Sequence, residues 1–145
     1  MIDIYKELQK GIDRSQILKD ERMSKHTSFK IGGPADFFVE IQSTKELKFV
    51  LKLVKKYDIP LTVVGNGTNL LVSDKGIRGI VIKIDISDFK VVRMKDRAEI
   101  TISSGYSVAK LAQLALKEDL TGLEFLSGIP RNNRWCIKNE CRCLW

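Results

Sequence analysis

The sequence predicts an α+β fold in two lobes, on three observations. A run of helical periodicity is flanked by two β-rich runs within residues 35–64, a sheet-like stretch with polar turns follows at 79–103, and a last helical pattern occupies 107–119. At 145 residues the chain is long enough for one domain of ordinary size. Its 43% hydrophobic and 30% charged residues exclude global disorder and a fibrous repeat. No apolar run approaches a membrane span, and the opening MIDIYKELQKGIDR is amphipathic and charged rather than a secretory signal, so a soluble, cytoplasmic protein is expected.

Residues 1–21 read as an arm of one or two short helices, with Ile4, Leu8 and Ile12 on one face. After the turn signal Gly32, Gly33 and Pro34, the β-branched and aromatic run 35–41 predicts a strand. Ser43 stands three residues before Glu46, the spacing of a capping box, and Leu47, Val50, Leu51 and Val54 fall at i, i+3, i+4 and i+7, predicting a helix over 44–57. Pro60 disfavours a helical residue before it, and 61–64 continues as a short buried strand, completing a β-α-β unit. Past a turn at 73–76, strands are expected at 79–84, 89–95 and 98–103. Ser107 then caps a helix carrying Val108, Leu111, Ala112 and Ala115, and 121–130 reads as loop. The expected lobes are about 22–72 and 73–130.

The net charge of +7 suits an anionic partner, whether nucleic acid or a phosphorylated ligand. Its distribution weakens the nucleic-acid reading. The last fifteen residues, RNNRWCIKNECRCLW, hold Arg131, Arg134, Lys138 and Arg142 against Glu140, leaving +4 on the first 130. The same tail holds all three cysteines and both tryptophans.

The loop GNGTN at 65–69, straight after a buried strand, suits phosphate binding. Glycines let the backbone come close to an anion, consecutive N–H groups form a positive concavity, and Asn66, Thr68 and Asn69 add neutral donors. It is neither a Walker loop, which needs Gly-Lys-Ser/Thr, nor a Rossmann fingerprint, which needs a third glycine and a following helix. From these five residues alone, a plain tight turn explains the loop equally well.

Three strings in order, TSFKIGGPAD (27–36), VVGNGTNLLV (63–72) and GLEFLSGIP (122–130), resemble the amino-terminal flavin domain of the UDP-N-acetylenolpyruvoylglucosamine reductase family. The resemblance covers essentially residues 1–130. It implies the two-lobe FAD-binding domain of the vanillyl-alcohol oxidase type, with the first flavin loop, Gly65, Asn66, Gly67, Thr68, Asn69, Leu70 and Leu71, around the FAD pyrophosphate and Gly128, Ile129 and Pro130 leading into a second. The implied reaction is peptidoglycan-precursor chemistry: NADPH reduces FAD, and the flavin passes hydride to the enolpyruvyl group of a UDP-sugar, making UDP-N-acetylmuramate. The arginine, serine and glutamate that the family uses lie further downstream, so no catalytic residue is expected on this chain.

After Gly-Ile-Pro the family continues with Gly-Thr-Ile/Val-Gly-Gly-Ala and Met-Asn-Ala-Gly-Ala-Tyr-Gly, and this tail departs from it. AGG AAC AAT AGG TGG TGC is one codon choice the genetic code allows for Arg131 to Cys136, and read one base later it gives Gly-Thr-Ile-Gly-Gly-Ala. Allowed codons through Trp145 then give one free position, Leu or Ser, and Lys-Met-Asn-Ala-Gly-Ala-Tyr-Gly. Residues 131–145 are therefore read as out-of-frame translation, through mutation or sequencing error, leaving the flavin domain incomplete at its C-terminus. On that reading Cys136, Cys141 and Cys143 hold no metal, and Trp135 and Trp145 stack on nothing. The chain by itself is expected to be inactive and to bind FAD weakly at best.

His26, the single histidine, lacks the partner that metal or nucleophilic chemistry requires and reads as solvated or hydrogen-bonded. Lys52, Lys55 and Lys56 read as a solvated helix face, and Phe37, Phe38, Phe49 and Phe125 as core. Ser104 and Gly105 suit a cofactor contact or a helix-opening turn equally. The rival class is a non-enzymatic α+β module that binds a nucleotide or nucleic acid; bound flavin would separate the two by its yellow colour.

Overall fold

The computed structural model describes residues 2–128; the expectations placed on Ile129, Pro130 and the tail at 131–145 lie outside the described residues. The chain divides into two compact units after Asp85. Among the described residues no helix is long and apolar enough to cross a membrane.

The first unit opens with α1 (Ile4–Leu8), whose Asp3 side chain accepts the Lys6 N–H. The second half of the expected helical arm is instead β1 (Ile17–Arg22), antiparallel to β2 (Pro34–Ile41). An edge strand with five of its six residues at least partly exposed shows no alternation, so ILKDER carries no strand signal of its own. α2 (Thr44–Tyr57) has the predicted bounds: Ser43 Oγ accepts the Glu46 N–H at 3.2 Å, and Asp58 ends the helix in the left-handed region at φ 49°. Its buried residues are Val50 and Leu53, while Leu51 is 44% exposed. The expected stripe is thus rotated: Val50, Leu53, Val54 and Tyr57 follow the same i, i+3, i+4, i+7 rule from a different start.

β3 (Leu61–Val64) and β4 (Ile77–Ile84) complete a sheet of order β1-β2-β4-β3, with β4 parallel to both its neighbours. This moves the lobe boundary from the expected residue 73 to Asp85. The turn at 73–76 does not leave the sheet; it ends a crossover that feeds β4 between β2 and β3, and Asp85 N–H still donates to the Ile41 carbonyl at 2.8 Å. Phe38 and Val81 pack with Met23, Ala35, Val64 and Val72 on one face, and the alternate residues Val39, Ile41, Ile80 and Ile82 are buried as well. Both faces of the central strands are covered, as a parallel sheet requires.

The second unit pairs β5 (Phe89–Arg93) with β6 (Ala98–Ile102) in an antiparallel hairpin. β5 stops two residues short of its expected end because Met94 N–H bonds the Arg97 carbonyl and closes the turn. α3 (Val108–Lys117) is capped by Ser107, and its Val108, Leu111 and Ala115 pack with Tyr106, Leu123 and Leu126 against Ile100 and Ile102. Arg93 reaches the helix C-terminus, donating to the Glu118 carbonyl at 2.7 Å and pairing with its carboxylate at 3.0 Å. The expected loop at 121–130 contains a short 3-10 turn at Glu124–Gly128. Phe38 is fully buried core as predicted, whereas Phe125 is 53% exposed.

Candidate functional site

β3 delivers the chain at Gly65, and residues 65–72 run back over the sheet face that carries Phe38 and Val81. Leu70 and Val72 pack into that apolar cluster, while Leu71 is 71% exposed. The loop is thus pinned at its far end by burial and presents Asn66, Asn69 and Leu71 outward.

Its middle is seated on the segment that follows β1. Gly67 adopts φ +65°, and a Cβ placed there would lie 1.8 Å from the His26 carbonyl oxygen. Ser28 N–H donates to the Gly67 carbonyl at 3.0 Å. Glycine is required at 67 by the protein's own backbone, through conformation and close approach together. Gly76 repeats the pattern, at φ +76° and with a Cβ position 1.8 Å from the Pro34 carbonyl, so the loop's return to β4 is seated on the start of β2.

The seating segment is itself well fixed. His26 N–H bonds the Met23 carbonyl at 2.9 Å, and buried Thr27 donates from Oγ1 to the Ile31 carbonyl at 3.0 Å. The His26 ring stacks on Phe38 with centroids 4.0 Å apart and an interplanar angle of 22°, and its Nε2 lies 3.0 Å from Glu21 Oε1. Burial opposes ionisation of Glu21 most strongly, but hydrogen bonds from His26 and Lys25 and the Lys25 charge outweigh it and hold the carboxyl below its ordinary value. The hydrogen-bonded reading of His26 is what the structure shows.

A cavity of about 260 Å³ opens where these pieces meet, lined by Lys25, His26, Thr27, Ser28, Gly65, Asn66 and Lys83. Lys25 and Lys83 give it positive charge at its rim, although each is shared with a carboxylate, Glu21 at 3.1 Å and Glu40 at 3.4 Å. The sequence singled out Gly65 and Asn66 of this lining but assigned no role to Lys25, Ser28 or Lys83. TSFKIGGPAD was the available signal for the segment beside Lys25, and a lysine inside the apolar strand IVIKI was the signal for Lys83. Gly128 lies in the second unit at the end of the 3-10 turn. Ser104 and Gly105 precede the α3 cap, where Tyr106 N–H bonds the Ser103 carbonyl, a helix-opening turn. Among the described residues no cluster of three or more His, Cys, Asp or Glu side chains could hold a metal.

The first unit is thus a mostly parallel sheet with a glycine loop folded over one face, and a separate α+β unit follows it. Residues 35–131 match the FAD binding domain family, and the chain belongs to it. FAD is the cofactor of that family. Over 128 residues the chain is 43% identical to the UDP-N-acetylenolpyruvoylglucosamine reductase of Clostridioides difficile (strain 630), covering 88% of this chain and 41% of that protein. The crystal structure of the reductase from Thermus caldophilus superposes with a TM-score of 0.56 at 29% identity, over 81% of this chain and 38% of that one. p-Cresol methylhydroxylase, 11% identical, shares the fold with a TM-score of 0.56 over 80% of this chain and 24% of its own. The likeness is thus to the FAD-binding part of the reductase, within the vanillyl-alcohol oxidase type of fold, and does not favour the non-enzymatic module. The chain spans about two-fifths of the length of the curated relatives it matches.

Proposed function

We propose that this chain is the pyrophosphate-holding portion of an FAD domain whose whole protein reduces UDP-N-acetylglucosamine enolpyruvate to UDP-N-acetylmuramate with NADPH in the cytoplasm. The carrying observation is the loop Gly65 to Leu71, seated on His26 and Ser28 beside a cavity with lysines at its rim. Gly65, Gly67 and the residues between them offer backbone N–H groups, and Asn66, Thr68 and Asn69 offer side-chain donors, to a diphosphate; Leu70 anchors the loop and Leu71 offers an apolar contact. Bound FAD supplies two-electron chemistry between the nicotinamide and the substrate double bond. Gly128, Ile129 and Pro130 lead toward a second flavin loop, and residues 131–145 are an out-of-frame reading of that loop. In the family's motif glycines occupy the sequence positions at which this chain has Arg131, Arg134 and Trp135. Nucleic acid is not a partner on this reading.

The test compares this chain with one whose reading frame is restored at codon 131 and extended to the relatives' length. FAD retention and NADPH-dependent reduction of the enolpyruvyl UDP-sugar are measured in both. The restored protein should be yellow and active, and the 145-residue chain inactive with weakened FAD binding. Comparable turnover by the short chain would show that the second loop and downstream residues are dispensable; an inactive restored protein would remove the proposed reaction.

A further inference from the structure

His26 is the point at which a side-chain contact in the core meets the glycine loop. Its ring is held on one side by Phe38 of β2 and at Nε2 by Glu21 of β1, while its own carbonyl oxygen fills the space that a Cβ at Gly67 would need. An ionised carboxylate only accepts hydrogen bonds, so the neutral ring must carry its proton on Nε2 to make the bond to Glu21. The next residues complete the attachment: Ser28 N–H donates to Gly67, and the Thr27 hydroxyl ties the segment down at Ile31.

We propose that His26 is a positioning residue for the glycine loop: clamped between Glu21 and Phe38, it sets where the backbone of 26–28 stands and hence where Gly65, Asn66 and Gly67 are held. The consequence for FAD rests on reading this loop as the pyrophosphate cradle. The charged groups around the ring are Glu21 from β1, Lys25 from the turn after it, and Lys83 from β4, which is shared with Glu40 of β2. When the ring takes up a second proton, its bond to Glu21 becomes an ion-pair hydrogen bond, which is shorter and stronger.

The experiment uses the full 145-residue chain, isotope-labelled for NMR. Its single histidine makes the ring-proton titration unambiguous. The Ser28 and Gly67 amide signals should move with the same midpoint as the His26 ring, and that transition should vanish in His26→Gln, whose amide still reaches toward Glu21. FAD affinity of the frame-restored, full-length protein, followed by flavin fluorescence, should weaken about tenfold in His26→Ala, as expected for loss of a hydrogen bond to a charged group, and recover most of that loss in His26→Gln. Ser28 and Gly67 amides that ignore the ring's transition would overturn the proposal, and this titration needs no variant to fold. If those amides follow the ring but FAD added to the frame-restored, full-length protein leaves Gly65 to Asn69 unmoved, the positioning role stands and the cofactor reading falls.

Discussion

Gly67 concentrates two demands in one residue, a left-handed φ and a carbonyl oxygen where a Cβ would lie. Gly67→Ala should therefore destabilise the first unit by about 2 kcal/mol or more, read from urea unfolding, and should abolish FAD retention by the frame-restored protein. Glu46 is the residue where pH enters. Burial disfavours its charge most strongly, yet the Gln42 N–H at 2.8 Å, the Gln16 side-chain amide at 3.1 Å and Ser43 outweigh that effect and hold its carboxyl below the usual 4.5. Since the folded value is the lower one, its contribution is complete above pH 4.5 and is lost as pH falls through the folded value. Glu46→Gln should flatten the acid limb of stability: the difference in unfolding free energy between about pH 3 and about pH 6 should be smaller in the variant than in the parent.

At the scale of elements, α2 shows what local chemistry can specify. Its N-cap and its length follow from residues in and beside the element, Ser43 before it and Pro60 beyond it, and Ser43→Ala should cost about 1 kcal/mol of stability by urea unfolding. β2, β3 and α3 were legible for the same reason. β1 was not, because an exposed edge strand is defined by its partner: Ile17 to Arg22 become a strand only by facing Val39 to Pro34. The glycine loop was legible in composition, but its support was not, since the contact between residues 26 and 67 joins segments that no local pattern links.

For the whole molecule, the informative place is the change from Asp85 to Ile86. Asp85 N–H bonds Ile41 in the parallel sheet, whereas the Ile86 carbonyl accepts from the Ser103 hydroxyl and the Asp88 carbonyl from the Ser103 N–H. The chain changes allegiance across a single peptide bond. Sequence placed the boundary at the glycine-bearing turn near 73 because a turn cluster looks alike whether it closes a lobe or only a crossover. Limited proteolysis should release a resistant piece ending near residue 85, identified by mass spectrometry; cutting first within 65–76 would show that the parallel sheet is the weaker unit. A break at 85/86 interrupts no strand ladder on either side. That makes the site a natural seam: two separately expressed pieces, 1–85 and 86–145, would each keep all of their own strand pairings.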